Sequence, residues 1–302
     1  MNKNYVFALL ATFTATTIYG LNHTIAKVVM PQYIQGFGFI MLRLAGATVL
    51  FWLSSLLIPS EKIDRSDWKR LAICAFFGMC LNMLSFFKGL ELSTPINSGV
   101  IVGFTPIGVL ILSVLFLKER ITLLKVLGIV LGFVGGLLLI FTGKTALVDA
   151  PNIPLGNFLF FINASSFACY LVLIKPLTQK YHVITLMKWM FTLGLLYSWP
   201  LTLGEFSQVQ WSTLPWEVIW RMGFVILCTT YLTYLLNVYA LQTVPPSTVG
   251  AFIYLQPIIA IAYALWVGAD TLTPIKIAAC ALIFGGVYMV SVRTSKSKKR
   301  AA

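Results

Sequence analysis

The sequence predicts an all-α polytopic membrane protein whose ten transmembrane helices form two inverted five-helix repeats. Three observations carry this. The first is composition: of 302 residues, 59% are apolar and 10% charged, where a soluble domain has roughly 25% charged. A span needs about 20 apolar residues, so ten spans use roughly 200 positions and leave no stretch of soluble-domain length. The second is the placement of basic residues, which collect in alternate connections. The third is that the chain matches itself at an offset of 151 residues.

The elements follow in order. Segment 5–28 comes after Lys3 and carries Asn22, His23 and Lys27. Those polar residues, and nine comparable segments downstream, mark a retained helix and not a cleaved signal. Segment 36–58 holds Arg43. A cation at bilayer depth costs about 3 kcal/mol on insertion scales, so Arg43 is assigned to peripheral packing with its charge snorkelling outward. Segment 70–90 ends near Lys88 and Glu91, three apart and able to pair locally. Segment 95–117 is interrupted by Pro106. A proline there removes one backbone donor and kinks its helix. In segment 123–141, Gly128, Gly132, Gly135 and Gly136 form a small-residue stripe suited to close helix packing, within the fold or as the face of a homodimer. Segments 155–177, 183–204 and 216–240 follow. Segment 246–268 is interrupted at Pro257, and segment 274–292 precedes a basic tail.

The repeat divides the chain into 1–150 and 151–302. Slid by 151 residues, Pro95 falls on Pro246, Gly99 on Gly250, Pro106 on Pro257 and Gly135 on Gly286. The first segments correspond at an offset of 148, which pairs Tyr19 with Phe167, Asn22 with Tyr170 and Lys27 with Lys175. Five helices is an odd number, so the second copy must cross in the opposite sense. The charges agree: Lys118-Glu119-Arg120 is replaced by Ala269-Asp270-Thr271. With the N-terminus cytoplasmic, 15 basic residues fall inside and 5 outside. That bias places both termini in the cytoplasm of a bacterial-type inner membrane. The formal charge of +13 is thus a topology signal and not a nucleic-acid footprint.

Inverted repeats put a substrate site at their interface near the midplane, commonly beside broken helices. The candidate substrate-binding residues are the polar and aromatic side chains at mid-helix: Tyr19, Asn22, His23, Asn82, Tyr170, Tyr234, Asn237, Tyr239 and Gln256. Ser85, Asn97, Thr105 and Tyr254 extend the set, and Pro106 and Pro257 are the gating or kink positions. Ring faces with amide and hydroxyl groups suit a neutral or zwitterionic small molecule. His23 and Lys27 share a face and offer a cationic outer vestibule for a carboxylate. An intramembrane enzyme would need an acid, base, nucleophile or metal at depth. All nine acidic residues fall in connections or near helix ends, and neither GxSxG nor HExxH occurs. The five cysteines form no ligand cluster, so no metal, cofactor or disulfide is assigned. The partners expected are a small-molecule substrate and the bilayer.

One family fits these features. The chain resembles the ten-helix EamA-type branch of the drug/metabolite transporter superfamily. The likeness lies in Tyr19-Gly20-Leu21-Asn22 with Lys27, Arg43, the stretch from Gly99 to Pro106, and Leu117-Lys118-Glu119-Arg120-Ile121-Thr122. The echo from Tyr239-Ala240-Leu241 through Pro257 to Asp270 repeats it. The resemblance implies a permease for small metabolites, commonly an exporter of amino acids or related compounds. Lys88 departs from the pattern, standing where the second copy has Tyr239.

Overall fold

The computed structural model describes residues 3–27, 29–30, 32–93, 95–142, 151–266 and 273–292. The side chains of His23 and Lys27, together with Asp270 and the tail from Arg293, lie outside the described residues. Among the described residues the helices form ten rods. They are α1 Lys3–Lys27, α2 Gly36–Ser55, α3 Arg65–Leu92, α4 (Pro95–Val102 and Thr105–Leu117) and α5 Leu123–Thr142. The second set is α6 Ile153–Ile174, α7 Val183–Ser207, α8 Trp216–Thr243, α9 (Pro246–Ala251, Phe252–Tyr254 and Leu255–Trp266) and α10 Pro274–Ser291.

Nine of these rods are long and apolar enough to cross a membrane. The seventh expected span, 183–204, is a helix of 25 residues, about 37 Å at 1.5 Å per residue, but it is not among those nine. Its polar groups have partners within the protein. Lys188 lies 4.8 Å from the centre of the Trp52 ring, and Glu205 accepts from the first amides of α2, Phe37 N–H at 2.7 Å and Gly38 N–H at 3.0 Å.

The halves interlock. α1 packs against α8 and α9, and its equivalent α6 packs against α3 and α4. α2 packs on α7, and α5 on α10, each helix meeting its own repeat equivalent. Individual contacts recur with the 148 and 151 offsets. A Cβ on Gly20 would stand 2.8 Å from Ile259, and a Cβ on Gly108 would stand 3.4 Å from Ala168. A Cβ on Gly128 would meet the Gly286 carbonyl oxygen at 2.6 Å, and one on Gly135 would meet that of Ala279 at 2.8 Å. The glycine stripe of α5 is therefore occupied inside the fold, with Gly132 and Gly136 turned to the Tyr254 ring.

Helical irregularities recur as well. π-helical turns interrupt α3 at Phe76–Leu81 and α8 at Val225–Leu232. α4 unwinds at Gly103 and Phe104, just ahead of Pro106. α9 tightens into a 3₁₀ turn over Phe252–Tyr254, just ahead of Pro257. The third rod begins at Arg65, so Arg65, Lys69 and Arg70 belong to its first turns and not to the preceding connection.

Candidate functional site

A polar cluster lies where α1, α2 and α8 meet. The π turn of α8 builds it by turning Thr229 and Thr230 in different directions. Thr229 Oγ1 donates to Asn22 Oδ1 at 3.0 Å. Thr230 Oγ1 donates to the Val225 carbonyl at 2.8 Å and accepts from Arg43 Nε at 3.0 Å. Gly46, one turn beyond Arg43, permits this approach, since a Cβ there would sit 2.6 Å from Ile226. Tyr19, half-buried, lies one turn before Asn22 on the same face of α1. Asn237 is 8% exposed and lies one turn beyond Thr233 and Tyr234.

Across the repeat axis the equivalent position is filled by rings. Tyr170, the counterpart of Asn22, covers Gly78, the counterpart of Thr229; a Cβ on Gly78 would be 2.7 Å from the ring. The Tyr170 ring is 6.2 Å from that of Tyr234 and 5.8 Å from that of Phe167, and its hydroxyl has no partner among the described residues. Tyr234 packs edge-on to Phe191 at 5.2 Å.

The expected residues divide among several places. Tyr19, Asn22, Tyr170 and Tyr234 come together, with Asn237 beside them. Gln256 is half-buried on α9, its backbone carbonyl beside Gly20 of α1. Asn82 is tied elsewhere: its Nδ2 donates to the Asn163 backbone carbonyl at 3.2 Å, and Asn163 Nδ2 returns a bond to the Asn82 carbonyl at 2.9 Å. Tyr239 stands apart, 42% exposed; its equivalent Lys88 is also exposed and pairs with Glu91 at 2.7 Å. The side chain of His23 is outside the described residues.

Arg43 contradicts the expectation drawn from its charge. It is 8% exposed and points to α8, not outward to the interface. Thr229, Thr230 and Thr233 were not singled out from sequence, although a threonine run in an otherwise apolar segment was the available signal.

The end where α1 begins and α10 finishes, joined by Tyr5 Oη–H to the Ser291 carbonyl at 2.8 Å, is closely tied. Lys175 Nζ donates to the carbonyls of Leu241 and Val244, which lack helical partners at the end of α8. Glu119 Oε1 accepts from Lys125 and from Ser247. Lys180 Nζ is 2.9 Å from Asp67 Oδ2, and that carboxylate holds the lysine above its ordinary pKa. Tyr181 donates to the same carboxylate at 2.8 Å.

The comparisons agree with this architecture. The EamA-like transporter family model matches residues 6–141 and again 154–292. An uncharacterized transporter of Archaeoglobus fulgidus is 26% identical over 292 residues, covering 96% of this chain and 99% of its own. The uncharacterized transporter YyaM of Bacillus subtilis is 28% identical over 241 residues, covering 78% and 75%. A solved crystal structure superposes with a TM-score of 0.79 at 16% identity, covering 98% of this chain and 99% of that one, which speaks to the fold alone. With two family matches spanning nearly all of its length, the chain belongs to the EamA-like transporter family and is a multi-pass membrane transporter.

Proposed function

We propose that the protein exports small organic metabolites, such as amino acids or related compounds, by alternating access across a bacterial-type inner membrane. On this reading the halves 1–150 and 151–302 are the two units that rock against each other, and both termini are cytoplasmic. The substrate sits against Tyr19, Asn22, Tyr170, Tyr234, Asn237 and Gln256, and the interrupted rods at Pro106 and Pro257 bend around it. The single observation that carries the reading is the exchanged packing, in which the first helix of each repeat seats against the third and fourth helices of the other. Inverted repeats joined in this way present two related arrangements around one polar centre.

The test is flux in proteoliposomes with a panel of labelled amino acids and their organic-acid and amine relatives. Substrate-specific counterflow supports the reading; absence of flux for every class sinks it. Reporter fusions after Arg300 and within residues 143–150 test the orientation. A periplasmic signal at the tail reverses it.

A further inference from the structure

We infer that Arg43 is the anchor for a carboxylate on the transported molecule. The inference rests on the transport reading and names the substrate class for the same site. Arg43 is 8% exposed within the bundle, where an unpaired cation is costly. A structural arginine at such depth ordinarily pairs with a carboxylate or with backbone carbonyls. Among the described residues the ion pairs are Lys88–Glu91, Lys125–Glu119, Lys180–Asp67 and Arg221–Glu217, and none reaches Arg43.

The hydrogen bonding points the same way. Only Nε is engaged, by Thr230, and that bond fixes the plane of the guanidinium. The two terminal nitrogens have no partner among the described residues, yet neither is among the sealed, unsatisfied polar atoms. Both therefore keep a small accessible surface and are free to take a ligand. Two adjacent N–H groups on a fixed plane match the two oxygens of a carboxylate. Tyr19 precedes Asn22 by one turn on α1 and Tyr234 follows Thr230 by one turn on α8, so two ring-bearing side chains stand on the helix faces that meet at Arg43. One guanidinium balances one negative charge. A phosphate monoester, at about −1.5 to −2, would leave buried charge uncompensated. The geometry thus selects a monoanionic carboxylate.

The experiment uses the full-length protein in lipid nanodiscs, modified with phenylglyoxal and read by peptide mass spectrometry at Arg43. The probes are 4-methylpentanoate and L-leucine, with 4-methylpentanamide as the neutral isostere and glycerol 3-phosphate as the competing oxyanion. At least one carboxylate should slow Arg43 modification about fivefold, as a ligand at about four times its Kd does, while the amide leaves the rate unchanged. Failure of Arg43 to react without ligand overturns the inference. So does equal protection by the amide, no protection by any carboxylate, or stronger protection by glycerol phosphate. Transport separates the two claims. Carboxylate counterflow should fall about tenfold in monodisperse Arg43→Gln and be only partly restored in Arg43→Lys, which keeps the charge and loses the fork. Flux within twofold of wild type in both variants removes the anchor and leaves the transport reading intact. If wild type moves no compound of any class, the transport reading fails, and the labelling still decides Arg43.

Discussion

Adjacent glycines in α10 should respond to the same substitution with opposite signs. A Cβ on Gly285 meets nothing within 4 Å, whereas one on Gly286 would stand 2.4 Å from the Gly128 carbonyl oxygen and 2.7 Å from the Gly132 amide nitrogen. Both positions are helical, so alanine gains about 0.5–1 kcal/mol of backbone entropy at each. At Gly285 that is the whole effect. At Gly286 the obstacle is backbone, which cannot rotate aside. Ordinary contact begins near 3.4 Å, so α5 and α10 must separate by about 1 Å, a gap that forfeits a quarter to a half of each dispersion well along the seam. Overpacking of this kind costs about 1–3 kcal/mol. Gly285→Ala should therefore gain about 0.5–1 kcal/mol and Gly286→Ala lose about 1–2 kcal/mol. The assay is thermal or denaturant unfolding in one detergent, with Gly128→Ala as the reciprocal variant. If Gly286→Ala is as stable as Gly285→Ala, the close α5–α10 contact does not exist in the folded protein, and the glycine stripe becomes available to a second copy again.

Three further outcomes follow from single contacts. Lys175→Met leaves the Leu241 and Val244 carbonyls without their donor and should lower stability by about 1–3 kcal/mol, measured by unfolding. Glu205→Ala removes the oxygen that accepts from Phe37 and Gly38 N–H at the start of α2; a loss of about 1 kcal/mol is expected in the same assay, and an unchanged midpoint refutes the cap. Asn163→Ala removes the donor to the Asn82 carbonyl and should cost about 0.5–1.5 kcal/mol, with thiol accessibility of an Asn22→Cys reporter unchanged.

Much of the architecture was legible because it is written twice. Pro106 with Pro257 and Gly135 with Gly286 specify breaks and close approaches, and these act through local sterics that sequence carries directly. Arg43 was misread for a different reason. Its charge alone argues for an outlet to the interface, and the partner that holds it inside, Thr230, is 187 residues away on another helix. The π turn that aims Thr230 is a backbone adjustment with no simple residue code. A mid-helix amide such as Asn82 can serve a ligand or another helix equally well, and its bond to Asn163 is a tertiary fact that sequence does not carry. Tyr239 was chosen by its place in a repeated segment, and repeat position does not say which face of the helix turns outward.

The symmetry of the backbone makes its side-chain asymmetries informative. If the two ends of the molecule alternate as gates, the closed end should carry bonds that the other end cannot form. Glu119 and Ser247 meet this condition. Ser247 donates to Glu119 across the repeat boundary, but the residue equivalent to Ser247 is Ile96, which has no hydroxyl to give. The contact is enclosed, with the Glu119 side chain 11% and that of Lys125 17% exposed. A hydrogen bond to a charged acceptor contributes about 1.5–3 kcal/mol, and each 1.4 kcal/mol is about tenfold in an equilibrium constant. Ser247→Ala should therefore raise the population open at the end where α1 begins by about ten- to a hundredfold, up to the point where that state dominates. An Asn237→Cys reporter in a background without native cysteines reads this with a membrane-impermeant maleimide applied from that side. The reaction should accelerate in Ser247→Ala and slow again when substrate holds the opposite state. An unchanged rate in folded, active protein would mean that the Glu119–Ser247 bond joins the repeats without governing access between them.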